Sequence, residues 1–489
     1  MVLSHPIMLF SSLLFLYLFL PITLLVYYLV PGQIKNYWLL FTSLIFFAWG
    51  GVSVTALLIV SIILNYCFGL LIQANIHSRA GYWWAFAGVT VNILILGVYK
   101  YANFIIQSLN DLFGILSIPL LPQTNILLPI GISFYTFHSL SYLIDIYRRK
   151  TEAQRNIFDL SLYICMFSQL IAGPIIRYSD VWQQLTRRQH NPAKFASGIE
   201  RFLIGLGKKV LLANTFARVA DSMFESDPGS LGALNAWLGM ICYTLQIYCD
   251  FAGYSDMAIG LGRMFGFEFK ENFNFPYLAA SVKEFWRRWH ISLSSFFRDY
   301  VYFPLGGNRV SEKRTYLNLL LVFLLTGFWH GASWNFVVWG LFHGFFMVLE
   351  RLGFEKWLQR LWKPVSVLYT LLVVMFAWVL FRADTLGFAM EYWKALFDVH
   401  SSPEQISLFM RSLDRELLLV FAVALAGSFG LFGWLRDKIQ TLLSTPSKGT
   451  QTLAYGYHAL SVLFYAGILF LCTLYLVAGT YNPFIYYRF

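Results

Sequence analysis

Apolar runs of bilayer length, parted by short charged clusters, make up most of this 489-residue chain. Roughly 20 consecutive apolar residues cross a bilayer as a helix, and charge-free intervals of that order recur from one end to the other. The first, residues 7–30, has no Lys or Arg ahead of it and is too long for a signal-peptide core, so it reads as a retained span. The interval from Lys35 to Arg79 has room for two spans, and residues 81–98 form another that ends near Lys100. Between Asp111 and Asp145 the run is interrupted by Pro119, Pro122 and Pro129, which predicts a broken or re-entrant element ahead of a span. Between Asp159 and Arg177 the run is short, and Gly173-Pro174 predicts that it does not cross cleanly. Further runs occupy 202–217, 231–249, 316–328, 334–349, 365–381, 417–435 and 453–479. Hydropathy alone thus predicts an all-α polytopic membrane protein with about eleven transmembrane helices and several re-entrant or interfacial pieces.

One stretch has a different rhythm. From Ser281 to Arg298, Trp286, Trp289, Leu293 and Phe297 recur at three- and four-residue intervals, while Lys283, Glu284, Arg287 and Arg288 supply a charged face. That pattern predicts one amphipathic helix, of a kind that can lie on lipid headgroups. His290 sits on its more apolar side, where an interfacial helix has no need of it. The wider stretch 263–314 holds nine Lys/Arg against five acids, which places it on the cytoplasmic side by the positive-inside rule.

Composition supports the same class. Charged residues are 12% of the chain and apolar ones 58%, whereas a soluble domain carries about 25% charged residues. The formal charge of +11 is divided among the loops between apolar runs, so it points to lipid headgroups and not to nucleic acid. None of the five cysteines forms a CxxC, which argues against disulfides and zinc. No repeat of fixed period and no low-complexity segment is visible.

Ionisable residues inside apolar runs are costly and mark function by default. Between Arg314 and Glu350 only His330 and His343 qualify. His330 lies in Gly327-Phe328-Trp329-His330-Gly331-Ala332-Ser333, where small residues let a substrate or a neighbouring backbone come close. A neutral imidazole there could take a proton from a hydroxyl and return it to a leaving group. It could equally be a buried histidine bonded to a carbonyl. His343, thirteen residues on, would stand about 20 Å away on another face of one continuous helix, which suits packing or support. No HExxH or comparable spacing suggests a metal, and no GxSxG suggests a nucleophilic serine. Asp250 and Asp256 follow an apolar run and need partners, for which Arg263, Arg287 or Arg288 are candidates; a structural role is favoured. Mid-membrane polar residues also suit a transporter or flippase, although the inverted repeats that would speak for one are not detected.

Three segments carry a family likeness. They are Asp250-Phe251-Ala252-Gly253-Tyr254-Ser255-Asp256, Glu284-Phe285-Trp286-Arg287-Arg288-Trp289-His290-Ile291-Ser292-Leu293-Ser294 and Trp329-His330-Gly331. With Lys100-Tyr101-Ala102-Asn103-Phe104, Leu128-Pro129-Ile130-Gly131, Leu305-Gly306-Gly307-Asn308-Arg309 and the ending Pro483-Phe484-Ile485-Tyr486-Tyr487, the chain resembles the membrane-bound O-acyltransferases. More narrowly it is similar to the bacterial branch that O-acetylates alginate and peptidoglycan. One departure is Phe167-Ser168-Gln169-Leu170, where members often have proline after the phenylalanine.

The resemblance implies a single domain over 1–489 with core motifs in 243–344, built as a ring of helices around a thinned centre with a funnel from each side. It implies that His330 is catalytic, with His290 as a second polar residue that orients the carbonyl or stabilises an oxyanion. It implies acetyl-CoA as a donor substrate, with no permanently bound cofactor and no metal. Arg287, Arg288, Arg309 and Trp286 would receive that donor from the cytoplasmic side of the inner membrane. The acceptor would be an extracytoplasmic glycan such as alginate, cellulose or peptidoglycan, reached directly or through a periplasmic partner protein.

Overall fold

The computed structural model describes residues 8–170, 173–443, 448–479 and 481–483, and every regular element among them is helical. The expected ending motif lies outside the described residues from Phe484 onward. The chain divides into two compact units, Met1–Ile199 with Ala258–Lys270, and Glu200–Met257 with Glu271–Phe489.

The first unit opens with α1 (Phe15–Leu29), α2 (Lys35–Ala48), α3 (Val52–Ala74) and α4 (Arg79–Ile115). The interval from Lys35 to Arg79 therefore does form two helices, broken at Gly50-Gly51. An unpaired amide in lipid is expensive, and α3 and α4 answer this with a reciprocal pair: Asn65 donates to Asn92 at 3.1 Å and Asn92 to Asn65 at 2.8 Å. The span expected to end near Lys100 instead continues through it, because Lys100 is buried and donates to Ser133 Oγ at 3.3 Å. The proline-rich segment after α4 is irregular, as expected, and is tied down by Asn110 Oδ1, which accepts from the Leu121 N–H at 2.8 Å. Next come α5 (Ile132–Tyr147), the two short helices α6 (Ile157–Cys165) and α7 (Phe167–Leu170), and α8 (Tyr178–Thr186). The interval from Asp159 to Arg177 is thus broken and not one clean span.

After α9 (Pro192–Gly207), the second unit holds α10 (Asn214–Phe224) and most of α11 (Pro228–Met264). The amphipathic stretch that follows is not the single helix expected. It is two, α12 (Val282–Arg288) and α13 (Ile291–Phe297), joined at an extended Trp289 and a left-handed His290 with φ 43°. Nor does it lie on a surface by its apolar side: Val282, Phe285, Trp286, Trp289 and Leu293 are all buried. The start of α12 follows from Ser281-x-x-Glu284, a helix-opening signature. Ser281 Oγ accepts the Glu284 N–H at 3.0 Å and Glu284 accepts the Ala280 N–H at 2.8 Å. Buried Glu350 adds a second clamp, accepting from the Val282 and Lys283 N–H groups at 2.6 and 3.0 Å.

His330 and His343 do not share a helix either. Helix α14 (Glu312–His330) stops at His330, Gly331 is extended, and the chain returns as α15 (Trp334–Leu349). The two pack antiparallel through glycines. A Cβ on Gly340 would run into the Phe323 carbonyl and lie 3.1 Å from Gly327 Cα, and a Cβ on Gly327 would run into the Phe336 carbonyl. Such small-residue crossings bring backbones together where lipid supplies no hydrophobic drive for association. Beyond lie α16 (Glu355–Leu358), α17 (Lys363–Arg382), α18 (Leu386–Ala395), α19 (Pro403–Ser412), α20 (Arg415–Ser428), α21 (Leu431–Leu443) and α22 (Lys448–Val477). The end of α17 is pinned twice. Asn335 donates to the Ala383 carbonyl at 2.6 Å, and buried Arg382 pairs with Asp221 of α10 at 2.5 Å. Asp221 also accepts from the Tyr481 hydroxyl at 2.7 Å.

Among the described residues, five helices are long and apolar enough to cross a membrane: Val52–Ala74, Arg79–Ile115, Trp334–Leu358, Lys363–Arg382 and Thr452–Val477. A sixth is added if α20 and α21, bent by 61°, count as one span. Other apolar runs form shorter helices, such as the 15-residue α1 and the 14-residue α2.

Two outcomes follow for stability in detergent. Gly340→Val should cost about 1–3 kcal/mol by forcing α14 and α15 apart, whereas Gly97→Ala, with open space around the new methyl, should leave the melting temperature unchanged or higher. Arg382→Met should destabilise by about 3–5 kcal/mol, because it leaves Asp221 buried without its cation. The double variant Arg382→Met/Asp221→Leu should recover much of that loss in the same unfolding assay.

Candidate active site

His330 ends α14, so its side chain leaves the helix beside the last carbonyls, whose partial negative charge favours a cation there. The ring is 6% exposed and surrounded by aromatic edges. Trp329 lies 4.8 Å away between centroids, Trp339 of α15 4.9 Å and Phe381 of α17 5.2 Å, all near perpendicular. Gly331 has to be small, because a Cβ there would strike the Phe336 ring.

His290 is fully buried at the joint between α12 and α13. Its left-handed backbone is uncommon for a residue with a side chain and is found preferentially at functional sites. The imidazole meets the Phe251 ring edge-on at 4.6 Å and the Trp329 ring at 5.9 Å. Trp329 therefore stands between the two imidazoles, in ring contact with each. Nδ1 of His290 bonds to Asn272 Oδ1 at 3.1 Å, and Nε2 is buried with no hydrogen-bond partner among the described residues. No sequence signal pointed to Asn272, which lies in the irregular stretch before α12.

His343 is drawn into the same cluster by the turn between α14 and α15. It packs on Trp339 at 5.0 Å, and its Nδ1 accepts from Trp286 Nε1 at 3.3 Å. The expectation of a distant position on one continuous helix is corrected by that turn, while a supporting role suits its contacts.

A cavity of about 540 Å³ opens beside α12, lined among others by Trp286, Arg287, Arg298, Phe323, Thr326 and Arg351. Lys283 lines it too, paired with Glu355 at 2.8 Å, and Arg298 is paired with Asp299 at 2.7 Å. Arg287 and Arg351 have no carboxylate partner among the described residues. Of the residues expected at a donor site, Arg287 and Trp286 line this cavity, whereas Arg288 and Arg309 do not. Arg309 is exposed, next in sequence to Asn308, which does line the cavity, and Arg288 is held by Glu284 at 2.7 Å and donates to the Asn274 carbonyl. Burial alone would raise the Glu284 carboxyl, but the Ala280 N–H and Arg288 outweigh it and hold the group below its ordinary range. Neither His330 nor His290 lines the cavity. Trp286, with Trp339 5.8 Å behind it, stands between the cavity and His330.

Asp250 and Asp256 find cations other than those expected. Lys209 pairs with Asp250 at 2.9 Å, both fully buried, and Lys208 and Arg201 pair with Asp256 at 2.7 and 2.6 Å. Their role is structural, as anticipated, but the partners come from α9 and the turn after it. Among the described residues no cluster of His, Cys, Asp and Glu could hold a metal ion.

Known proteins place this architecture. The chain is 43% identical to the probable alginate O-acetylase AlgI of Pseudomonas putida, over 99% of this chain and 100% of the relative. To the probable alginate O-acetylase AlgI of Pseudomonas aeruginosa it is 44% identical over 89% of this chain and 84% of that one. To the peptidoglycan O-acetyltransferase of Helicobacter pylori it is 36% identical, covering 84% and 85%. The family described as MBOAT, membrane-bound O-acyltransferase, matches residues 123–386, which include His290, His330 and His343. The protein is thus a multi-pass membrane enzyme that transfers acyl groups to oxygen, and the transporter reading falls away. The chain belongs to the membrane-bound O-acyltransferase family.

Proposed function

We propose that this enzyme takes an acetyl group from acetyl-CoA on the cytoplasmic side of the inner membrane and delivers it to a hydroxyl of an extracytoplasmic polysaccharide, directly or through a periplasmic partner. The observation that carries the reading is the buried His330 at the carbonyl end of α14, separated by two indoles from a cavity rimmed with cations. Relatives named for alginate and peptidoglycan O-acetylation make acetate the favoured group and a cell-envelope glycan the favoured acceptor.

The chemistry needs one proton moved twice. The acceptor oxygen attacks the thioester carbonyl carbon as its proton passes to His330. The tetrahedral intermediate then expels the thiolate, the C–S bond breaks, and the imidazolium returns the proton to sulfur. One ester and one free thiol result, and the ring is neutral again. The helix end stabilises the transient imidazolium, and the aromatic surround keeps water from competing for the thioester. Arg287 and Arg351, unclaimed by carboxylates, suit the phosphates of the donor, while Trp286, Phe323 and Thr326 suit its uncharged arm.

His330→Ala, still inserted, should lose about 100- to 10,000-fold in acetyl transfer from labelled acetyl-CoA; wild-type turnover in that variant refutes the mechanism. The double variant Arg287→Ala/Arg351→Ala should raise KM for acetyl-CoA about tenfold, with a weakened salt dependence and little change in kcat. Ester-linked acetate measured on each envelope glycan of a knockout strain identifies the acceptor.

A further inference from the structure

The hydrogen bonds around Asn272 determine which nitrogen of His290 carries its proton. Asn272 Oδ1 accepts the backbone N–H of Ser292 at 3.1 Å, a donor that cannot reverse. That fixes which end of the amide is oxygen, and two further contacts agree: Ser292 Oγ donates to the same oxygen at 2.8 Å, and Asn272 Nδ2 donates to Ser255 Oγ at 2.9 Å. An amide oxygen has no proton to offer. The 3.1 Å contact between Asn272 Oδ1 and His290 Nδ1 therefore requires the proton to be on Nδ1. In the neutral ring the other nitrogen, Nε2, is then a bare lone pair, and it is buried with no partner among the described residues. Burying an unmatched acceptor is costly, and here it sits at a strained joint in ring contact with the tryptophan that also touches His330.

We propose that Asn272 is a positioning residue that locks His290 in its Nδ1–H tautomer, so that Nε2 receives an N–H or O–H of the bound substrates. This reverses the part expected of His290 from the family likeness. A neutral ring held this way has no N–H left to stabilise an oxyanion. The donor that meets it is one of two: an amide N–H of the acetyl-CoA arm, or a hydroxyl of the acceptor. The inference rests on the acyl-transfer reading above, and Asn272 acts in it only through His290. Asn272 also holds the start of α13, since its backbone carbonyl accepts the Ile291 N–H at 2.9 Å, so a test has to separate orientation from folding.

Asn272→Leu removes the acceptor and Asn272→Asp keeps it. With equal amounts of inserted protein, Asn272→Leu should lose about 10- to 100-fold in kcat/KM, and Asn272→Asp should recover most of that loss. Rates are measured with labelled acetyl-CoA and an alginate oligosaccharide. A rise in KM for acetyl-CoA assigns the amide, a rise for the oligosaccharide assigns an acceptor hydroxyl, and a fall in kcat alone assigns the reacting hydroxyl. In wild-type protein with 15N-labelled histidine, the signals absent from His290→Gln should show Nδ1 protonated and Nε2 unprotonated, a result that does not depend on any variant of Asn272 folding. The opposite tautomer, equal losses in the Leu and Asp variants, or a harmless Asn272→Leu beside an inactive His290→Ala each overturn the proposal. Wild-type protein that moves no acetyl group from acetyl-CoA instead overturns the acyl-transfer reading and leaves the tautomer result standing.

Discussion

The backbone contact between Gly327 and Gly340 governs the geometry of the second unit. In lipid, two apolar helices gain nothing by hiding from solvent, so their association depends on how closely they fit. Without side chains at 327 and 340, α14 and α15 lie close enough for Trp339 to reach His330 across the hairpin, while it also meets His343 one turn along its own helix. A wider separation would withdraw Trp339 from His330. The turn at Gly331 completes the arrangement, since it ends α14 at the histidine and leaves the imidazole against a helix terminus.

Around this hairpin the unit settles most of its buried charge in pairs. Lys209 meets Asp250, Lys208 and Arg201 meet Asp256, Arg382 meets Asp221, and Glu350 takes two backbone N–H groups at the start of α12. Each pairing also joins segments distant in sequence, so the charges hold the frame while the aromatic rings fill it. Against that background the Nε2 atoms of His290 and His343 are buried without a hydrogen-bond partner among the described residues. Both belong to the aromatic cluster that surrounds His330, and burying an unmatched polar group is tolerated where something else is to meet it.

How much could be read from residues alone varied with the kind of signal. His330 was legible because an ionisable group in a long apolar run is rare, and His290 because an interfacial helix has no use for it. The irregular segment after α4 was legible from its prolines. The break at Trp289-His290 was not, because neither residue disfavours a helix and the three-and-four spacing continues across it. The end of α4 was misjudged because Lys100 looks like a boundary until Ser133 is seen beside it. The partners of Asp250 and Asp256 lie some 40 to 55 residues upstream, where no local pattern ties them to the acids. Asn272 was invisible for the same reason: its meaning comes from three donors supplied by the fold.

On the reaction proposed above, which joins substrates from opposite faces of a bilayer, the enzyme must avoid becoming a pore. Trp329, Trp339 and Phe381 pack so closely about His330 that little more than a twentieth of it is exposed. An ion passing between these rings would have to shed its hydration. The same packing that surrounds the imidazole therefore makes its surroundings costly for an ion to enter.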